Sequence, residues 1–298
     1  MAAAASSRIV EHLSVDKVLA SVVTLACAAG LCDAYWEGAA PLNGQLRAEG
    51  CSLRGDQQLD LSLERCQELE RNGYLVIDNF LTKEQVNNAV MSLEDDKVFA
   101  PSQNEQDGDK VRTDRVFFFN GGNQKGEEKE GKDQDKALGD VRNTLYRLGY
   151  DLVNSSFQGF PKDSKDAYQT GWLGVPATMQ ISLYDKQGEV GAYYREHTDA
   201  CDDTFLDLGL TGYLRSQYLR KRYLTCIVYL NPDWEPAHGG CLRIISDNNN
   251  VENQRNTVVD IEPRAGRLIL FSSVNTMHAV LPTFSRRLAC SMWMTLNE

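Results

Sequence analysis

Two histidines, one carboxylate and one arginine carry the chemistry that this sequence can do. His197 and Asp199 lie two positions apart in Y-R-E-H-T-D (194–199). On a strand, residues i and i+2 face the same side, so the imidazole and the carboxylate would point together. His278 follows 81 residues later, in M-H-A-V-L-P. Two imidazoles and one carboxylate on one side of a cation form the donor set of non-haem Fe(II) sites. The remaining positions stay open for a chelating co-substrate and dioxygen. Arg287 stands nine positions beyond His278, at the head of an apolar run that holds Leu288, Ala289, Met292 and Trp293. A fixed cation inside a sheet is costly unless an anion meets it. No carboxylate lies nearby in sequence, so the missing anion is a candidate ligand. The spacing is read as placing His278 and Arg287 on one surface of a single sheet. The plainer alternative makes both histidines hydrogen-bonded sheet residues, and H-x-D alone does not decide between the two.

Such a set needs strands to hold it, and the sequence supplies them. Short apolar runs bounded by turn residues recur at 179–184, 192–198, 222–230, 240–245, 257–261, 267–272, 276–281 and 287–295. Strands in that number and spacing predict a double-stranded β-helix, or jelly roll, mainly β with supporting helices. Upstream, 63–71 reads as a helix that ends at Gly73, a glycine just past the last turn. Residues 74–80 read as a strand. Thr82 caps a helix through Leu93, with Gln85 at the capping-box position. Apolar residues at 138, 141, 145, 148, 152 and 153 have helical spacing and predict a helix over 138–157 that braces one sheet. Residues 98–114 read as polar loop and 116–119 as a short aromatic strand. The stretch 121–136, dense in Glu, Lys and Gly, reads as a solvated loop. The organisation expected is an N-terminal extension and linker over 1–60 and one domain over 61–298.

Composition narrows the function classes. A net charge of −11 and a pI near 5.0 argue against nucleic acid, whose backbone needs a basic face. The eight cysteines contain no C-x-x-C pair, so neither a zinc ribbon nor a redox motif is signalled. Cys226, Cys241 and Cys290 fall in strand patterns and read as small buried hydrophobes. This usage suits a reducing compartment, cytoplasmic or nuclear. The apolar run 18–32 is short for a membrane span, so a membrane location is not expected. A secretory or organellar signal within 1–34 is the alternative. His12 lies outside the expected domain, and His238, in P-A-H-G-G, reads as a turn residue.

The motif H-x-D … H-x-V-x-P-x-x-x-x-R-x-A-x-x-x-W resembles the Fe(II)/2-oxoglutarate-dependent prolyl 4-hydroxylases, most of all the hypoxia-inducible-factor type. The segment T-C-I-V-Y-L-N-P-D-W-E-P-A-H-G-G-C-L-R-I (225–244) and the block V-R-T-D-R (111–115) carry the same likeness, which runs from about Leu63 to the chain end. The resemblance implies Fe(II) held by His197, Asp199 and His278, and 2-oxoglutarate as the chelating co-substrate. It implies that Arg287 grips the far carboxylate with Tyr229, that Tyr184 also touches it, and that Ile227 and Leu242 wall the pocket. Arg112, Asp114 and Arg222 fall at substrate-facing positions, with 111–115 in a loop that closes over a peptide. Ascorbate as reductant, dioxygen, and a protein or peptide substrate containing proline follow from the same likeness. Trp293 is expected in the sheet core near the iron. Two rival readings stand beside this one: a hydroxylase of collagen-like peptides, proline-rich peptides or a free amino acid, and a catalytically silent jelly-roll binding module.

Overall fold

The computed structural model describes residues 40–41, 61–102, 105–106, 109–120, 132–155, 157, 159, 172–176, 178–185, 189–200, 222–246 and 257–297. Most of the 1–60 extension, the run 18–32 within it, and 121–131 lie outside the described residues. The strands of five residues or more, and two of four, are β1 (Tyr74–Ile77), β2 (Arg115–Asn120), β3 (Trp172–Val175), β4 (Thr178–Tyr184), β5 (Ala192–His197), β6 (Arg222–Tyr229), β7 (Leu242–Ser246), β8 (Thr257–Ile261), β9 (Leu268–Ser272), β10 (Met277–Thr283) and β11 (Arg287–Asn297). They form two antiparallel sheets. The larger runs β1-β9-β6-β11-β4-β2 with the short Ala100–Pro101 at its edge; β3 and Ala40–Pro41 extend it beside β11. The smaller runs β8-β7-β10-β5. This is the jelly roll that the strand spacing predicts.

Alternation along the strands builds two cores. On β11, Leu288, Cys290, Met292 and Met294 face the helices, while Ala289 faces the smaller sheet. On β6, Leu224, Cys226 and Val228 point to the helices and Ile227 and Tyr229 to the other sheet. Both faces are covered, so these strands read as nearly continuous apolar runs.

Among the described residues three α-helices cover the outer face. α1 (Leu63–Asn72) ends at Gly73, whose φ of 74° and N–H bond to Leu69 O make the left-handed cap. α2 (Lys83–Ser92) carries the reciprocal Thr82–Gln85 capping box. α3 (Lys132–Asn154) buries Leu138, Val141, Leu145, Leu148 and Leu152. It begins at Lys132, six residues before Leu138. Composition alone had assigned those first residues to the loop. The 98–114 stretch also has more order than polarity suggests, with Glu105–Gln106 pairing Asp109–Lys110. Among the described residues no helix is long and apolar enough to cross a membrane.

Candidate active site

The smaller sheet supplies the two histidines. His197 ends β5 and His278 opens β10, and the two are cross-strand partners. Asp199 sits two residues past the end of β5 and still turns to the same side. The candidate ligand atoms of His197, Asp199 and His278 all lie within 4.8 Å of one another. His197 Nε2 is 3.6 Å from Asp199 Oδ1, and His278 Nε2 is 3.8 Å from Asp199 Oδ2. Each histidine anchors its other ring nitrogen on a carbonyl: His197 Nδ1 on Arg195 O at 2.8 Å and His278 Nδ1 on Thr276 O at 3.0 Å. An Nδ1–H held this way leaves Nε2 bare and aimed inward, as a metal ligand requires.

Packing fixes the rings. Tyr194 stacks on His197 with centroids 3.6 Å apart, and Phe271 tilts against His278 at 4.6 Å. Burial pushes the His278 imidazole down to about 4, against a smaller upward pull from Asp199. It is therefore neutral at physiological pH, with its lone pair available. Burial also penalises the Asp199 carboxylate, but His278, His197 and Arg222 together outweigh that and hold it far below the usual carboxylate range. An ionised oxygen donor and two imidazole nitrogens within reach of one point fit a divalent iron.

The larger sheet supplies the arginine. This corrects the expectation that His278 and Arg287 share a sheet surface. The turn 284–286 carries the chain from β10 in one sheet to β11 in the other, so the two groups face each other across the interior. Arg287 is 2% exposed. Its Nε donates to Gly240 O at 2.7 Å, and its Cζ lies 5.0 Å from the ring centroids of both Tyr184 and Tyr229. Among the described residues no carboxylate reaches it. The Tyr229 hydroxyl is buried and, among the described residues, meets no hydrogen-bond partner of normal geometry. Burial raises the ionisation of both tyrosines, with Arg287 pulling the other way, so both remain neutral donors. Ile227 and Leu242 are buried with them in the inter-sheet core. A buried guanidinium and an orphaned hydroxyl between apolar walls form a receptor for a carboxylate.

The remaining expected positions have mixed fates. Arg112 is turned onto Asp114 in a two-pronged ion pair and lies over the Tyr194 ring at 4.5 Å. Asp114 is buried and also accepts from Ser102 Oγ at 2.9 Å. The segment 111–113 lies along β5, through Arg195 N to Val111 O at 2.9 Å and Thr113 N to Tyr193 O at 3.1 Å. The block is thus a pinned edge in this structure, and Arg112 is neither solvated nor extended. Arg222 covers the Trp293 ring at 3.8 Å and donates to Asp199 O at 3.4 Å. Trp293 is half-buried beneath that cation instead of in the core. Cys226 and Cys290 are buried as expected, whereas Cys241 is half-buried beside the Gly239–Gly240 turn. His238 lies in the short helix Pro236–His238 with Nε2 3.3 Å from Glu235 Oε1, outside the metal cluster.

Sequence reading missed Gly240. It has φ +75°, and a Cβ there would sit 2.8 Å from Arg287 Cδ. Only glycine lets the turn come close enough for its carbonyl to seat the guanidinium. The G-G pair was the available signal.

Comparison with known proteins agrees with this geometry. Residues 179–295 match the model of the 2OG-Fe(II) oxygenase superfamily. A "Hypoxia-inducible factor prolyl hydroxylase" of Caenorhabditis elegans is 24% identical over 265 residues, covering 83% of this chain and 31% of that protein. The human "Prolyl hydroxylase EGLN3" is 34% identical over 142 residues, covering 42% of this chain and 56% of the relative. The chain therefore spans from just under a third to a little over half of the length of these relatives. Among solved structures, a Trichoplax adhaerens prolyl hydroxylase in complex with a hypoxia inducible factor oxygen degradation domain peptide fragment superposes with a TM-score of 0.52. It shows 22% identity, with 78% of this chain and 87% of that one covered. A Pseudomonas putida prolyl-4-hydroxylase gives a TM-score of 0.50 at 20% identity, covering 79% and 98%.

Proposed function

We propose, from the premise that this chain carries a 2OG-Fe(II) oxygenase domain, that it is a dioxygenase that 4-hydroxylates prolyl residues of a protein substrate. The observation that carries the reading is a cation site on one sheet and an anion site on the other, both bordering one inter-sheet core. His197, Asp199 and His278 face Arg287 and Tyr229 across the space between the two sheets. A dicarboxylate with a chelating keto acid at its near end satisfies both.

When bound, Fe(II) and 2-oxoglutarate supply the oxidising power that splits dioxygen between succinate and a substrate C–H bond. The chain's own residues bind, orient and seal. His197 and His278 present bare nitrogens from rings that cannot turn, and Asp199 brings the negative charge. Arg287 offers its terminal fork to the far carboxylate, because Gly240 O already holds Nε. Two parallel charge-assisted bonds fix a planar carboxylate as a lysine ammonium could not. Tyr229 and Tyr184 bracket that group, and Ile227 and Leu242 keep water from competing for it. Such a dry, pre-aimed site is how a protein puts a co-substrate's chemistry to use.

On the substrate side, Arg112, Asp114 and Arg222 are assigned to peptide recognition. Arg222 and Trp293 form a flat cation-and-ring surface beside Asp199, fit for a compact apolar ring such as proline. The names of the relatives, which act on hypoxia-inducible factor or are called prolyl hydroxylases, support a prolyl target. Ascorbate would keep the metal reduced between turnovers.

The test is succinate release from 2-oxoglutarate that requires Fe(II) and a proline-containing peptide, with a one-oxygen mass gain mapped to proline. Binding of peptide with no succinate under any condition would instead make the domain a silent binding module. Oxidation of free amino acids or of collagen-like repeats alone would move the assignment to those substrates.

A further inference from the structure

We propose that Thr225 and Ser273 form a hydroxyl relay that fixes the orientation of the Asp199 carboxylate, which makes both of them positioning residues of the metal centre. The inference rests on the metal site proposed above and concerns how that site is held. Thr225 is on β6, opposite Trp293 on β11 and Phe271 on β9, and faces the inter-sheet space. Its Oγ1 donates to Asp199 Oδ2 at 2.7 Å and lies 2.8 Å from Ser273 Oγ. Both hydroxyl residues are 0% exposed, so no bulk water shares these bonds.

Proton counting sets the direction. An ionised carboxylate only accepts, and a hydroxyl owns one hydrogen. The Thr225 hydrogen is engaged by Asp199, so the bond between the two hydroxyls must run from Ser273 to Thr225. The relay therefore points inward, Ser273 to Thr225 to Asp199, and each bond polarises the next. The backbone locks both ends. Ser273 N donates to Tyr223 O at 3.0 Å, and Ala200 N, next to Asp199, donates to Ser273 O at 3.0 Å. Arg222 also donates to Asp199 O at 3.4 Å. Asp199 lies past the end of its strand, where no sheet ladder holds its backbone. The relay and these bonds do the work that strand pairing does for the two histidines.

The consequence concerns how the carboxylate is turned. Oδ2 accepts from Thr225 and lies 3.8 Å from His278 Nε2, while Oδ1 faces His197 Nε2 at 3.6 Å with no hydroxyl on it. Thr225 thereby takes up part of the acceptor capacity of Oδ2 and fixes how the carboxylate plane is turned toward the two histidines. A buried threonine that served packing alone would satisfy itself on a nearby carbonyl. This one is aimed at the ligand.

The experiment titrates Co(II) into the full chain and follows the visible d–d absorption, in wild type, Thr225→Val, Thr225→Ser and Ser273→Ala. Thr225→Val keeps the branched shape and removes both bonds. It should weaken Co(II) binding about 10- to 100-fold, the usual loss when an outer partner of a metal ligand is removed, and shift the d–d band. Thr225→Ser should restore both affinity and band. Ser273→Ala should lose less affinity in the same direction, and it decides the matter if Thr225→Val does not fold. Wild-type affinity and an unmoved band in Thr225→Val, or in Ser273→Ala where that variant decides, would overturn the relay. A wild-type chain that binds no Co(II) would overturn the metal site and the relay with it.

Discussion

The two ends of the inter-sheet site are built on opposite plans. At the metal end all three donor side chains already have a protein partner. Both histidines rest on carbonyls, and Asp199 takes a hydroxyl. At the Arg287 end the guanidinium has one carbonyl and two aromatic faces, and among the described residues Tyr229 Oη makes no hydrogen bond of normal geometry. The first end is pre-organised and complete in its protein bonds. The second is left short of an anion at a cost in stability, since a buried unpaired hydroxyl loses its water without recovering a bond. The difference shows where each ligand's binding energy comes from. A metal ion gains from ligands that are already aimed, whereas a carboxylate gains by filling bonds the protein cannot fill.

The largest effect should come from the complete end. His278→Ala removes one of three donors, and no other histidine or carboxylate among the described residues joins the cluster. Metal binding and turnover should be lost. The fold should persist, because the inter-sheet core keeps Phe271, Ile244 and Val280. Equilibrium dialysis against Fe(II) or Co(II), with a thermal melt alongside, checks both. Turnover at the wild-type rate in His278→Ala would remove the metal assignment.

At the other end, Arg287→Lys puts a point charge where a fork was. The loss of a buried charge-assisted bond is about 2 kcal/mol or more, so KM for 2-oxoglutarate should rise ~30-fold or more. Co(II) affinity without 2-oxoglutarate should stay at the wild-type value, because Arg287 touches none of the metal ligands. An equal loss at both ends would show that the two are one structural unit and break the contrast drawn above.

Much of this was legible in the sequence because it rests on side-chain type and period. Strand alternation marked β4 to β11 within a few residues, and the H-x-D, His and Arg placements carried the chemistry. What was not legible depends on which layer a strand joins. Nothing local distinguishes a hairpin within one sheet from a strand pair that changes sheets, so His278 and Arg287 were placed on one surface. The short strand β3, W-L-G-V, has too few residues to show a period. Thr225 looks like any β-branched strand residue, and its role exists only through Asp199, which is 26 positions away. Sequence assigns Arg112 to the peptide but does not show that a carboxylate two residues on and a tyrosine 82 residues away in sequence hold its side chain.

That pair adjoins the metal end. Arg112 lies over Tyr194, which stacks on His197. Asp114→Asn keeps the volume but leaves a buried guanidinium without its counter-charge. Breaking a buried pair costs about 3 kcal/mol, which in a chain of this size lowers Tm by roughly 5–10 °C. Peptide-dependent kcat/KM should fall about tenfold, while 2-oxoglutarate KM and Co(II) affinity change little, if the pair serves the peptide. Loss of Co(II) affinity in step with peptide turnover would instead make Arg112 a support for His197 through Tyr194.

The smallest expected change tests the contrast most directly, because its two readouts should move in opposite directions. Tyr229→Phe removes one oxygen that is buried and unpartnered. If that hydroxyl waits for the far carboxylate, its loss removes one hydrogen bond of about 1 kcal/mol and raises 2-oxoglutarate KM about fivefold. In the ligand-free protein the same change removes an unsatisfied polar group from a dry core. Stability should therefore stay level or increase by up to about 1 kcal/mol. Saturating 2-oxoglutarate should reverse that order, because wild type then gains the bond and the phenylalanine variant does not. Thermal melts of both proteins with and without 2-oxoglutarate, in the presence of Co(II), read the crossing. An ordinary structural tyrosine would lose stability on substitution under both conditions and leave KM unchanged. That pattern would mean Tyr229 belongs with the packed walls, Ile227 and Leu242, and that Arg287 meets the anion alone.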